Sequence, residues 1–334
     1  MNKSLIALAV FGVIATPLTT AYAKPDTSKV YGVVHVALEK VGKDSNLDVN
    51  SSYRKGTALG VKGGVDAGPV KVNYKMELGL DTDSYSVDAV KEADASTTIS
   101  AYSPGVIYQR DTWVGIKAGM GQVRIGTMAT LYKSTGKMID PLFTTALEGR
   151  GMLETMSVLH SGNGIGKGRS TNMISYNTPK ISGVAKINFH YQTNGENPNY
   201  GGGVTFNLGS ADLFAATVSN YNAADDGNQS AYKLGGRVGM GSIGLSAQVE
   251  TGEAINDDTK GFGSASYTMG MLTIAATGGY TVDKDGDNDL SFGAAVLQKL
   301  SKKTTAYVGG GLAMPGEDSL SSESAWLAGL KHKF

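Results

Sequence analysis

The 334-residue sequence predicts an all-β protein, an antiparallel barrel of sixteen strands that crosses a membrane. Three observations predict this fold. First, apolar and polar residues alternate over runs of about ten residues, the length of a tilted membrane-spanning strand and nearly twice that of a typical soluble strand. Second, short turns alternate with long polar links, as they do at the two rims of such a barrel. Third, the last strand ends on an aromatic residue, Phe334, which suits an interfacial girdle.

The first 23 residues are expected to be a cleaved secretory signal and not part of the fold. Lys3 supplies the positive charge, Leu5 to Ala15 form an apolar segment, and Ala21-Tyr22-Ala23 fits the small-residue cleavage pattern. Pro17 interrupts the apolar segment before it reaches the roughly 18 residues that a membrane-spanning helix needs. We therefore expect export through the periplasm and a mature barrel domain that comprises residues 24–334.

The composition argues against several other classes of protein. Thirty basic residues balance thirty acidic ones, so the basic surplus that a nucleic-acid partner would favour is absent from the sequence. There is no cysteine, and therefore no disulfide framework. Glycine contributes 46 residues and proline only 8, which suits close strand packing better than disorder. Glycine loses more backbone entropy on folding than other residues do. A membrane barrel offsets this cost, because in lipid every backbone group must be hydrogen-bonded. We expect no cofactor and no catalysed reaction.

Sixteen strands are predicted, from Lys29–Val41 at the beginning to Glu323–Phe334 at the end. The segment from Val70 to Leu80 shows the pattern clearly, because every second residue is apolar while Lys71 and Lys75 stand between them. A soluble sandwich also gives this alternation. The length of the runs and the even number of strands favour the membrane barrel.

The connections fall into two classes that alternate along the chain. The short ones are expected at the periplasmic rim and the long ones outside the cell. The short turns are 66–68, 118–121, 179–183, 209–211, 240–241, 269–270 and 301–302, and the long links are 42–52, 82–108, 194–199, 222–229, 252–258, 283–287 and 314–322. One further link of about forty residues, the third long one, follows Met128. A connection of that length is usually functional.

Several short stretches of the sequence resemble the general trimeric porins of Gram-negative bacteria, in order and spacing, over nearly the whole mature length. The stretches are Val30-Tyr-Gly-Val-Val34, Leu59-Gly-Val-Lys-Gly63, Trp113-Val-Gly-Ile-Lys117, Gly121-Gln-Val-Arg-Ile-Gly126, Asn172-Met-Ile-Ser-Tyr-Asn-Thr-Pro179 and Gly329-Leu-Lys-His-Lys-Phe334. The resemblance implies a homotrimer in the outer membrane that lets small hydrophilic solutes and ions diffuse passively. It also implies that the third loop, Thr130–Lys167, folds inward and narrows the pore.

The resemblance further implies that charges on this loop face charges on the barrel wall and set the selectivity of the pore. The loop candidates are Asp140, Glu148, Glu154 and Arg150, and the wall candidates on inward parity are Lys71, Lys75, Arg124, Lys186 and Arg237. Members of the family often carry an arginine where this chain has Thr127. Because the wall candidates are basic residues, we expect the pore to have a mild preference for anions.

Phe334 is expected to act as an assembly signal, because in this family a C-terminal strand that ends in phenylalanine is recognised by the outer-membrane assembly machinery. Membrane lipid and lipopolysaccharide are expected as further partners of the barrel.

Two other functions stay open at this point: an outer-membrane barrel enzyme, and a plugged structural or adhesive barrel. An enzyme would use His35 or His190, both on inward parity, but no G-x-S-x-G nucleophile motif accompanies them. The segment Asp283–Asp289 has alternating carboxylates that suit calcium, although it lacks the EF-hand spacing.

Overall fold

The computed structural model describes residues 27–42, 45–50, 56–80, 107–151, 153–316 and 322–334. The predicted signal, residues 1–23, and most of the predicted link 82–108 lie outside these residues. No helix within them is long and apolar enough to cross a membrane.

The described residues form seventeen strands and one α-helix. The strands are β1 (Lys29–Val41), β2 (Asp48–Asn50), β3 (Ala58–Ala67), β4 (Val70–Leu80), β5 (Ile107–Ala118), β6 (Gly121–Ala129), β7 (Arg169–Asn177), β8 (Ala185–Gln192), β9 (Asn199–Asn207), β10 (Ala211–Asn222), β11 (Gly227–Met240), β12 (Ile243–Thr251), β13 (Thr259–Met269), β14 (Leu272–Val282), β15 (Asn288–Lys299), β16 (Thr304–Met314) and β17 (Glu323–Lys333). The helix, α1, is Leu131–Ile139, and single 3-10 turns occur at Val158–His160 and Glu253–Ile255.

The sheet is antiparallel and closes on itself, which confirms the predicted barrel. From β3 to β17 each strand pairs with its neighbour in sequence, and β1 pairs with β17 from Val33 opposite Lys333 to Val41 opposite Ala325. β2 does not add a further strand to the wall. It pairs with Ala37–Glu39 of β1, while β3 pairs with Lys29–Val33 of the same strand. The two together occupy one place, so the barrel has the sixteen strand positions that the alternation predicts.

The two faces of the wall follow the parity of the sequence. In β1 the side chains of Val34, Val36 and Leu38 are exposed on the outer surface, while His35 and Glu39 are buried inside. An apolar outer surface is suited to contact with lipid. Because the barrel is closed, no strand edge with unpaired backbone groups faces the hydrocarbon.

The core of the molecule lies inside the barrel, between the wall and the connection from β6 to β7, which we call the inner loop (residues 130–168). Its apolar side chains pack on the inner face of β10–β17 and β1 in three clusters. In the first cluster, the loop residues Leu142, Ala146, Leu147 and Leu153 pack on Ala37, Ala275, Ala295, Tyr307, Ala325 and Leu327. In the second, Tyr132 and Leu159 of the loop pack on Ala216, Val218, Ala231 and Ile255. In the third, Ile139 and Met156 of the loop pack on Phe214 and Phe262. Each large side chain buried in this way contributes about 1.5–3 kcal/mol. The third long link therefore folds inward, as the resemblance implies.

The helix α1 begins and ends at residues that favour those places. The Thr130 side chain accepts a hydrogen bond from the backbone N–H of Lys133 at 3.2 Å, which satisfies one of the free donors of the first turn. Pro141 follows the C-cap Asp140, and the residue before a proline is disfavoured in helical conformation.

Candidate functional site: the narrowed pore

A buried lysine and a buried glutamate fix the inner loop to the barrel wall. Lys233 on β11 and Glu250 on β12 are directly paired across the sheet. The Glu250 carboxylate accepts hydrogen bonds from Tyr132 Oη at 2.7 Å, Ser157 N at 2.6 Å and Ser157 Oγ at 2.9 Å. The Lys233 ammonium donates to the Tyr132 carbonyl and lies 2.9 Å from His160 Nε2. We call Lys233 and Glu250 the loop anchor.

His160 completes the loop anchor as a neutral ring. Burial, followed by the nearby charge of Lys233, holds the pKa of His160 well below its usual value. A neutral imidazole has one donor and one acceptor. Nδ1 lies 3.2 Å from the carbonyl oxygen of Ser157 and donates to it, so Nε2 is left to accept from Lys233.

Further hydrogen bonds hold the loop to the same side of the barrel. Ser246 and Ser264 donate through Oγ to the Ile139 carbonyl at 2.6 and 3.1 Å. Lys331 on β17 donates to Thr144 Oγ1 at 2.9 Å. These partners lie on β12, β13 and β17. The main body of the loop therefore rests against β10–β17 and β1, while Asn163 and Gly166 near its end contact Gln109 of β5 and Gln192 of β8. The passage runs between the main body of the loop and the wall formed by β3–β8.

The predicted charged residues of the loop occupy different surroundings. Asp140 is buried and accepts the backbone N–H groups of Leu142 at 2.8 Å and Gly149 at 2.9 Å. Glu148 is also buried and lies 2.7 Å from the Nε of Arg150. Burial, and then the charge of Glu148, raise the pKa of Asp140 to about 7.

Glu154, in contrast, is exposed and takes a positive φ of 46°. Two other loop residues turn toward the passage. Phe143 is partly exposed, and the guanidinium carbon of Arg150 lies 4.3 Å from the centre of its ring. Lys137 is exposed, yet partial desolvation in the barrel interior and then the charges of Arg110 and Lys75 lower its pKa.

The wall opposite the loop carries a network of charges built by a β-bulge. Met76 pairs with Thr112 but Leu78 pairs with Gln109, so two residues of β5, Arg110 and Asp111, share the place opposite Glu77. Such a bulge re-aims side chains. Here it points both Arg110 and Asp111 into the lumen, although neighbours in a strand normally face opposite ways.

The bulge residues join charges from three strands into one network, which we call the eyelet network: Lys75, Glu77, Arg110, Asp111 and Arg169. Its contacts are Arg110 Nε to Glu77 Oε1 at 2.6 Å, Lys75 Nζ to Asp111 Oδ2 at 2.7 Å, Lys75 Nζ to Glu77 Oε2 at 3.1 Å and Arg169 Nε to Asp111 Oδ1 at 2.6 Å. The sequence does not predict Arg110, Asp111 and Arg169 as part of the site, since neither a bulge nor a contact between distant strands leaves a signal in the alternation.

The five predicted wall residues all belong to inward-facing rows, but they do not form one group. Lys71, Lys75 and Arg124 lie on β4 and β6, and Lys186 lies on β8 near the periplasmic rim. Arg237 is on the opposite side, where it pairs with Asp212 at 2.7 Å and donates to the Met138 carbonyl of the loop at 3.3 Å.

Thr127, at the place where the family often has arginine, receives a hydrogen bond from Gln109 Nε2 at 3.3 Å. The network residues Arg110 and Arg169 supply positive charge on the adjoining strands β5 and β7.

Phe334 lies at the seam where the barrel closes. Its backbone N–H donates to the Gly32 carbonyl at 3.1 Å, and its carbonyl accepts from the Gly32 N–H at 3.3 Å. The ring covers Gly32 so closely that a Cβ at that position would lie 2.2 Å from the ring. The C-terminal residue therefore continues the pairing of β17 with β1.

The residues that an enzyme or a metal site would use are placed as follows. His35 Nε2 lies 2.7 Å from the phenol oxygen of Tyr307, and His190 is buried on the inner face of β8. Asp283 accepts the backbone N–H groups of Asp285 and Asp287 through one oxygen, which shapes the turn. Within the described ranges, no group of three or more His, Cys, Asp or Glu side chains could hold a metal ion.

Comparisons with known proteins agree with this architecture. A family model described as Gram-negative porin matches residues 5–314. The structure is similar to an anion-selective porin from Comamonas acidovorans, with a TM-score of 0.74 and 19% identity over 93% of this chain and 100% of that one. It is also similar to OmpT of Vibrio cholerae in its trimer form (TM-score 0.67, 13% identity, 93% and 100% covered) and to Salmonella typhi OmpF in complex with daunomycin (0.65, 13%, 92% and 97%). No curated protein sequence matches the chain significantly.

Proposed function

The chain belongs to the family of Gram-negative porins, and we propose that its pore passes small anions in preference to cations. The barrel is an outer-membrane channel for the passive diffusion of small hydrophilic solutes and ions.

The observation that carries the proposed anion preference is the charge of the wall along the passage. The inner loop covers β10–β17, so solutes pass along β3–β8. The cations there outnumber the carboxylates: Lys62, Lys71, Lys75, Arg110, Lys117, Arg124, Arg169 and Lys186 stand against Asp66, Glu77 and Asp111. Charged side chains that line a narrow pore are a usual source of ion selectivity.

The test is the reversal potential of the purified protein in a planar bilayer under a KCl gradient. We expect a potential whose sign reports a chloride permeability above that of potassium. A clear potassium preference would overturn the proposal. The variant Lys71→Gln with Arg124→Gln should move the potential toward zero, because it removes two cations of the wall without touching the loop anchor.

We propose that Asp140, Glu148 and Arg150 act on the pore indirectly, by holding the shape of the loop, while Glu154 contributes an exposed charge. Asp140 and Glu148 accept backbone N–H groups within the loop, which supports this role. Exchanging Glu154→Gln should therefore change the reversal potential without changing the stability of the loop.

We further propose that the mature protein is a homotrimer that begins at Lys24 after signal cleavage and contacts lipid and lipopolysaccharide. The apolar outer surface supports contact with lipid or with other copies, and one similar structure is described as a trimer form. Amino-terminal sequencing of the protein from outer membranes tests the cleavage site. Electrophoresis of unheated samples tests the trimer, and a monomer-sized band alone would contradict it.

We also propose that the barrel catalyses no reaction. The partner of His35 is the phenol of Tyr307, and His190 lies 8% exposed in the wall. A hydrolase activity of the purified protein that is lost on His35→Gln or His190→Gln would support the enzyme alternative instead.

A further inference from the structure

We propose that Arg124 is the centre of an oxyanion-binding station on the periplasmic side of the eyelet network. The station would take the carboxylate or phosphate group of a small organic anion in transit. This inference rests on the anion preference proposed above and assigns it to a definite place on the wall.

Arg124 differs from the other described arginines in its partners. Arg110, Arg150, Arg169 and Arg237 each have a carboxylate oxygen within 2.6 or 2.7 Å. In the part of the chain that the structure describes, no carboxylate lies within ion-pair distance of Arg124. Its charge is therefore available to a solute, whereas each arginine of the eyelet network is already paired with a carboxylate.

The guanidinium of Arg124 is held in place by its surroundings. Its central carbon lies 5.2 Å from the centre of the Trp113 ring, a distance suited to a cation–π contact. Gly115 lies directly opposite Arg124 on β5, and a Cβ there would meet the Arg124 Cγ at 2.8 Å. The missing side chain thus leaves room for the arginine stem along the wall.

The orientation leaves the outer part of the guanidinium for a ligand. Nε is buried and has no hydrogen-bond partner in the described residues, so the two terminal nitrogens are the donors that can face the lumen. A fixed guanidinium fork binds carboxylate or phosphate through two parallel hydrogen bonds, which chloride cannot form.

Two lysines lie next to this position, one row nearer the periplasmic turns. Lys71 and Lys117 are directly paired across β4 and β5, and both are exposed. Neither forms an ion pair with a carboxylate among the residues described. An anion that leaves the eyelet network toward the periplasm therefore meets the Arg124 fork first and then these two exposed ammonium groups.

The test measures block of the chloride current by potassium succinate and by potassium phosphate, with the full-length protein in a planar bilayer. Arg124→Gln should raise the half-blocking concentration about tenfold, because the bidentate contact is lost. Arg124→Lys, which keeps the charge but not the fork, should give a smaller rise of about threefold. Lys186→Gln is the matched control, since it removes one lumenal charge near the same rim, and should change the value less than twofold.

Unheated trimer mobility confirms that each variant is assembled. An unchanged half-blocking concentration in Arg124→Gln, or an equal rise in Lys186→Gln, would overturn the station.

The reversal potential in KCl alone separates the two proposals. If the wild type prefers anions but the half-blocking concentration does not change in Arg124→Gln, only the proposed station is overturned. If the reversal potential of the wild type reports a preference for cations, the proposed function is overturned. Block by one anion and not the other identifies which group the station takes.

Discussion

Asp140 holds the shape of the inner loop by accepting two backbone hydrogen bonds, and the stability that this buried carboxyl gives to the loop depends on pH. Its pKa is raised to about 7 from an ordinary value of 3.8, since burial and the neighbouring Glu148 disfavour the charge. A carboxyl with a raised pKa in the folded state stabilises that state fully below its unfolded pKa of about 4. This contribution is lost progressively as the pH rises through about 7.

We therefore expect the inner loop to be more stable at pH 5 than at pH 8. The measurement is amide hydrogen exchange of the loop, corrected for the intrinsic effect of pH. Asp140→Asn should remove most of the difference, because the amide does not ionise. The control Glu154→Gln, which removes an exposed carboxylate of the same loop, should keep it. An equal pH dependence in Asp140→Asn would contradict the assignment.

The single residue Phe334 is expected to be important for barrel assembly, because it closes the seam between the last strand and the first. Deleting it removes two backbone hydrogen bonds to Gly32 and the ring that covers this glycine. We expect a strong loss of trimer in the outer membrane and an unchanged reversal potential in the barrels that still form. Phe206→Ala is a suitable control, because this ring is also exposed near the periplasmic end of its strand. Normal trimer yield after deletion of Phe334 would refute the expectation.

At the scale of elements, the inner loop depends on the loop anchor formed by Lys233 and Glu250. Glu250→Gln replaces one carboxylate oxygen, which accepts from Tyr132 and Ser157, by an amide nitrogen that cannot accept, and a buried donor left without its partner costs about 1–3 kcal/mol. We expect the loop to detach for part of the time, while the sheet stays intact.

Single-channel recording should then show frequent steps to a larger conductance in Glu250→Gln, with unheated trimers of normal mobility. Glu154→Gln again provides a control, because it also removes one carboxylate charge but at an exposed position of the loop that takes no part in the anchor. Recordings of Glu250→Gln that match the wild type would show that the apolar clusters hold the loop without the anchor.

The elements also show where sequence reasoning succeeds. β4 is predicted correctly because its side chains alternate between lumen and lipid without interruption. The bulge that brings Arg110 and Asp111 to one face was missed, since the extra residue reverses the parity of the strand. The helix α1 was missed as well, because its apolar residues bury against a wall that is distant in sequence.

At the scale of the whole molecule, the proposed selectivity is a property of many charges on one wall and should depend on salt. Electrostatic interactions extend about 10 Å at 0.1 M salt and about 3 Å at 1 M. We expect the ratio of chloride to potassium permeability to fall toward one as the mean KCl concentration rises over this range, at a fixed gradient. Block by succinate at the Arg124 station should weaken less, because it requires direct contact. A permeability ratio independent of salt would point to pore width rather than charge.

The contact between Thr144 and Lys331 has a consequence for the order of events during assembly. The two residues are 187 positions apart, and the same part of the loop packs on Ala37, Ala325 and Leu327 of the strands that meet at the seam. The part of the receiving surface that β1 and β17 form together is not complete until the last strand has joined the first. The loop therefore gains its last contacts only when the wall is sealed, and a chain stalled before that step is open at the side and holds its loop by fewer contacts.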